Sequence, residues 1–116
     1  MDESEWLSDE EVRAVVAQGK AYTTVLLQAG PARLEGAERQ AVIWRHLRCL
    51  LALRARGVLL VNGPFTDEGE PAAVSIYAGT DAEQVRAWVE ADPAVAAGIF
   101  TFRIRSWFGI AGDSLK

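Results

Sequence analysis

The chain has one cysteine, Cys49, and one histidine, His46. A lone thiol excludes an intramolecular disulfide framework and the multi-cysteine ligand sets of structural zinc. One imidazole with scattered carboxylates is equally poor ligand chemistry, so no metal is expected. No Gly-x-Gly-x-x-Gly or P-loop spacing occurs, which leaves a nucleotide cofactor without its phosphate cradle. No Gly-x-Ser-x-Gly elbow presents a serine nucleophile. No apolar run approaches the roughly 18 residues of a membrane span. The opening "MDESEWLSDEE" is acidic and carries no signal-peptide core. Basic blocks are absent too: 12 Lys and Arg intersperse with 16 Asp and Glu, for a net charge of −4. That argues against a nucleic-acid partner. The expected setting is the cytoplasm, with neither membrane nor nucleic acid as partner.

What is present is a 116-residue chain, half of it hydrophobic, enough to bury the core of one domain. "SDEEVRAVVAQG" opens with Ser8 and has Glu11 three residues on, a capping box. Leu7 and Val12 stand at staple positions, and Gly19 stops this short helix. "KAYTTVLLQAG" (20–30) is β-branched and aromatic and predicts a first strand. "AERQAVIWRHLRCLLALRARG" (37–57) predicts a long helix closed by Arg54, Arg56 and Gly57. "VLLVNGP" (58–64) and "AAVSIYAG" (72–79) predict two strands. "TDAEQVRAWVEA" (80–91) predicts a helix capped by Thr80 and boxed by Glu83, and ended by Pro93. "IFTFRIRSWF" (99–108) predicts the last strand. Residues 1–19 then form a helical extension, 20–108 the folded domain and 109–116 a loose tail.

The element order is one helix followed by βαββαβ. That is the ferredoxin-like α+β arrangement, with two helices on one face of a four-stranded antiparallel sheet. Alternation along the strands sets Val25, Leu27, Val74, Ile76, Phe100, Phe102 and Ile104 toward the helices. It sets Tyr22, Tyr77, Arg103, Arg105 and Trp107 on the open face. That mixed face is too apolar in part to be left in water, so a second copy is expected to cover it.

His46 lies in "WRHLRCLLALRARG". On a helical projection Ile43, Leu47, Leu50 and Leu51 make the buried stripe, Arg45, Arg48, Ala52 and Arg56 lie opposite, and His46 sits at the flank. Two readings are open. One is a half-buried histidine that fills space. The other is an acid/base group aimed at a cleft. Cys49, on the same flank, reads as a small buried hydrophobe. In "ADPAVAAG", Asp92 precedes Pro93 and a small-residue run ending at Gly98. A single helical turn capped by Asp92 accounts for that pattern.

Taken together, "HLRCLLALRARG", Gly63-Pro64 and "DPAVAAGIF" resemble the YCII-related family over roughly residues 20–108. Two features depart from the family pattern. "IWRH" stands where Arg-Pro is usual before the histidine, and the N-terminal helix is an addition. The resemblance implies a dimeric α+β barrel of two ferredoxin-like subunits. It implies an active site in which His46 and Asp92 face each other, with no cofactor. Imidazole titrates near neutrality, at about 6.5 unperturbed, and a carboxylate beside it orients the ring and stabilises the imidazolium. The implied activity is proton transfer on a small molecule, of lyase, isomerase or dehydrochlorinase-like type. The alternative is a non-catalytic module that binds a small ligand or regulates. Arg103, Arg105, Tyr22 and Tyr77 are candidates for ligand contacts.

Overall fold

Four segments rich in β-branched and aromatic residues pair into one sheet in the computed structural model, which describes residues 1–116. The strands are β1 (Gly19–Ala29), β2 (Leu59–Pro64), β3 (Ala73–Tyr77) and β4 (Phe100–Ile110). Their order is β2-β3-β1-β4, and every pairing is antiparallel. Helix α2 (Gly36–Ala55) joins β1 to β2. Helix α3 (Ala82–Glu90) and the single turn α4 (Pro93–Ala96) join β3 to β4. Each connection skips a strand, so two βαβ units interleave in the ferredoxin-like manner expected. A 3₁₀ turn (Glu3–Glu5) and α1 (Asp9–Val16) precede the sheet.

Local chemistry explains the boundaries. Ser8 Oγ accepts the Glu11 N–H at 3.2 Å, and the Glu11 carboxylate accepts the Ser8 N–H at 3.0 Å, completing the capping box. Helix α3 is capped by Asp81 and not by Thr80: the Asp81 carboxylate accepts the Gln84 N–H at 3.1 Å. Aspartate is the better N-cap of the two neighbours. Strand β4 runs two residues past its expected end because β1 offers partners out to Gly19, opposite Ile110.

Register decides which side chains share a face. Val25, Leu27, Leu59, Ala73 and Tyr77 of the sheet meet Leu50 and Leu53 of α2 and Val85 and Val89 of α3 in one core. Phe100, Phe102 and Ile104 pack at its margin. Two expectations are corrected. Ser75 lies opposite Val25 and Ala73 opposite Leu27, so β3 turns Ala73, Ser75 and Tyr77 toward the helices. Val74 and Ile76 belong to the open face. "AVSIY" is apolar at both parities, so alternation alone carries no phase there. In α2 the inward residues are His46, Leu50 and Leu53, whereas Leu47 and Leu51 are 38% and 53% exposed. Apolar side chains lie almost all round this helix, so spacing could not locate the centre of the buried stripe. His46 stands in the middle of the inward face and not at its flank.

Candidate active site

The site begins with a proline. Pro93 cannot continue α3, so the chain breaks at Asp92 and restarts as α4. Asp92 takes the extended N-cap conformation, and its Oδ1 accepts the Ala94 N–H at 2.8 Å. Its own N–H donates to the Val89 carbonyl at 3.1 Å, tying it to the end of α3. After the turn, Gly98 adopts a φ of +78°, a conformation glycine takes without penalty. The turn is clamped to the end of β1, where the Gly30 N–H donates to the Ile99 carbonyl at 2.7 Å. A Cβ on Gly30 would stand 2.2 Å from the Gly98 carbonyl oxygen, so only glycine permits this approach.

Held in this way, the second carboxylate oxygen of Asp92 reaches inward to α2. Oδ2 lies 2.6 Å from His46 Nδ1. His46 is 7% exposed and Asp92 3%. With the carboxylate ionised, Nδ1–H donates to it, which puts the ring in the tautomer whose Nε2 carries the lone pair. Nε2 has no partner in the protein, and it is not among the polar atoms sealed from solvent. One ring nitrogen is therefore committed and the other is free. The two oxygens of Asp92 do two separate jobs, one capping α4 and one orienting the imidazole.

The surroundings are apolar and aromatic. The Phe100 ring lies 5.6 Å from that of His46, centroid to centroid. Tyr77 stacks on Trp88 at 6.1 Å with an interplanar angle of 18°. Burial, then the negative charge of Asp92, then Cys49, push the Tyr77 hydroxyl up to about 12. Burial and Asp92 likewise raise the Cys49 thiol, so it stays protonated and unreactive near neutrality. A cleft of about 270 Å³ opens beside this cluster. Its walls include Phe100, Ile99, Leu34, Arg33 and Arg39, but neither His46 nor Asp92. Phe100 is the shared wall: one side meets the cleft and its ring meets His46. Arg39 is seven residues before His46 on α2, hence two turns away on the same helix face.

The sequence-derived candidates divide between two sides of the sheet. His46 and Asp92 come together, 46 residues apart in the chain. Tyr77 joins them on the helix side, a correction to its expected place on the open face, and is 1% exposed. Tyr22, Arg103 and Arg105 stand on the open face, with Tyr22 against Trp107 at 6.0 Å. Arg103 and Arg105 are thus separated from His46 by the sheet, which removes them as anion-binding charges beside it. Phe100 and Arg39 escaped the sequence reading. Phe100 was assigned to the core side of β4, and nothing local marks a core aromatic as the neighbour of an imidazole. The i, i+7 spacing of Arg39 and His46 was the one available signal for Arg39.

No functionally curated protein matches the chain. Among solved structures, 5-chloro-2-hydroxyhydroquinone dehydrochlorinase from Burkholderia phenoliruptrix AC1100, in complex with 2,5-dihydroxybenzoquinone, matches with a TM-score of 0.50. The match covers 73% of this chain and 92% of that one at 19% identity, a likeness of fold. The expected resemblance is borne out by the family model for the YCII-related domain, which matches residues 8–107. The chain therefore belongs to the YCII-related domain family.

Proposed function

We propose that the protein is a cofactor-independent enzyme that moves a proton on a small molecule, with His46 as general acid/base and Asp92 as its orienting carboxylate. The observation that carries this is the 2.6 Å bond from His46 Nδ1 to buried Asp92, which leaves Nε2 as a free base. In the forward step the Nε2 lone pair takes a proton from substrate carbon or oxygen. The electron pair left behind forms a new double bond or expels a leaving group. Asp92 stabilises the imidazolium, which then returns the proton to product or water. Lyase, isomerase and dehydrochlorinase-like reactions all share this step. The fold neighbour is a dehydrochlorinase in complex with 2,5-dihydroxybenzoquinone, which supports a compact, ring-shaped substrate. The cleft beside Phe100 has the right scale, and Arg39 on its wall suits an anionic substituent. We place no cofactor in this reaction. We also propose a homodimer formed across the open sheet face.

A second reading is favoured by one observation: His46 and Asp92 are deeply buried and do not themselves wall the cleft beside Phe100. A module that binds a small ligand without turning it over fits that arrangement.

Proton exchange separates the two. Hydroxylated and chlorinated single-ring compounds and simple carbon acids are incubated with the protein in D₂O and followed by NMR. The enzyme reading expects protein-dependent deuterium incorporation or elimination that falls by about 10²–10⁴-fold in His46→Gln. Binding without exchange, or exchange at the same rate in His46→Gln, makes the protein a binding module.

A further inference from the structure

Residues 1–16 form an arm without a seat. The 3₁₀ turn and α1 both carry complete capping boxes, yet neither has a buried residue. Trp6, Leu7, Val12, Val15 and Val16 are all exposed. Val12, Val15 and Val16 fall on one helical stripe, and a helix of eight residues is not stable on its own in water. Such a stripe is maintained by something that covers it. The arm does not fold back on its own chain. Only Ala17 and Gln18 link it to β1, and the Gln18 carbonyl accepts the Ala111 N–H at 3.2 Å. Gly19 is already paired opposite Ile110, with the Phe108 ring lying over its α-carbon. The arm therefore leaves the body along the β1–β4 ribbon. The molecule measures 55 × 31 × 22 Å as a result.

The outer face of α2 is the matching half. Trp44, Leu47 and Leu51 are exposed there at spacings of three and four, one apolar stripe with nothing on it. Arg45, Arg48 and Arg54 accompany it, against a single acid, Glu38. The arm has the opposite charge: Asp2, Glu3, Glu5, Asp9, Glu10 and Glu11 against Arg13 alone.

We propose that the arm of one chain packs on the outer face of α2 of a second copy of this chain, valines against Trp44, Leu47 and Leu51, and its acidic residues among the arginines. The occupant is a second copy because one chain carries both unpartnered halves, each apolar and of opposite charge. Exchange of two arms closes a symmetric pair. The contact uses the side of α2 turned away from His46 and is separate from the open sheet face, so it stands whether or not the protein is an enzyme.

Charge reversal in two chains tests it by sedimentation velocity on full-length protein. Glu3→Lys, Asp9→Lys and Glu10→Lys together turn the arm's net charge from −5 to +1 while sparing the capping residues Asp2, Glu5, Ser8 and Glu11. Arg45→Glu with Arg48→Glu reverses the helix face. The arm contact expects each variant to self-associate at least about tenfold more weakly than the parent, since like charge now meets like charge. It expects a mixture of the two to form a 1:1 pair as tight as the parent, because both exchanged contacts then regain opposite sign. Circular dichroism checks that each variant is folded, and Val12→Asp with Val15→Asp, exposed positions that leave the body intact, expects the same weakening. A parent that stays monomeric at about 100 μM overturns the proposal. So do variants that associate like the parent, and a mixture that fails to recover.

Discussion

At the scale of single residues, Asp92 has two separable roles, and substitution can divide them. Asp92→Ala removes the α4 cap, worth about 1 kcal/mol, and strands buried His46 Nδ1, worth roughly 1–3 kcal/mol more. A urea titration should show both losses together. Asp92→Asn keeps an oxygen for the Ala94 N–H, so stability should fall by less than about 1 kcal/mol. Its amide, however, donates toward Nδ1 and forces the proton onto Nε2, which removes the free lone pair. On the catalytic reading, turnover falls by about 10²–10⁴-fold in a variant that stays folded. A variant that unfolds would leave Asp92 as a structural cap. Tyr77 offers a pH signature. Its hydroxyl ionises near 12 in the folded chain, against about 10 for an unfolded tyrosine. Above pH 10 the unfolded chain gives up this proton while the native one keeps it. The stabilisation is therefore whole below pH 10 and is lost as pH rises toward 12. The slope of stability against pH in that window should flatten in Tyr77→Phe. An unchanged slope would mean that the hydroxyl is not held in this apolar, negatively charged setting.

At the scale of elements, α2 shows what the sequence could and could not reveal. Its existence and ends were legible from an apolar segment closed by arginines and Gly57. Its rotation was not, because Val42, Ile43, Trp44, Leu47, Leu50, Leu51 and Leu53 surround the axis. The sheet resolves the ambiguity by burying His46, Leu50 and Leu53. Truncation measures that phase. Leu50→Ala should cost about 2–5 kcal/mol, whereas Leu51→Ala, half-exposed, should cost within about 1 kcal/mol. Equal costs in thermal or urea unfolding would put the helix in a different rotation. The same limit explains β3, where Ala73, Val74, Ile76 and Tyr77 leave both faces apolar. Strand β1 was read with the right phase because Lys20, Thr24 and Gln28 fall on one side, against Thr23 alone on the other. The His46–Asp92 pairing was legible through the family resemblance and not through spacing, since a separation of 46 residues carries no local signal of contact. Asp92 as a cap was legible locally, from a proline at the first helical position. Phe100 and the new place of Tyr77 were not, because both depend on strand register.

At the scale of the whole molecule, the chain is longer than its length requires. Its radius of gyration is 17.2 Å, against about 13–14 Å for a compact domain of this size. The arm accounts for part of the excess and the β1–β4 ribbon, which outruns β3 beyond Thr23, for the rest. No helix is long and apolar enough to cross a membrane. The open face shows why the proposed barrel-type dimer is physically reasonable. Val74, Ile76 and Leu26 lie beside Tyr22 and Trp107 there, with Arg103 and Arg105 exposed among them. Thr24, opposite Arg105, has a buried hydroxyl without a partner in the single chain. An unmet buried hydroxyl costs about 1–3 kcal/mol, and a second sheet laid across it is one way to meet it. A face-to-face pair should bury on the order of 2,000 Å² or more. Ile76→Asp, at the centre of that face, should then split the pair, whereas reversing the arm charges leaves this particular contact in place. Light scattering after size-exclusion chromatography reads the result. If Ile76→Asp keeps the parent's mass at micromolar concentration, the open face is not the interface, and the apolar side chains on it require another cover.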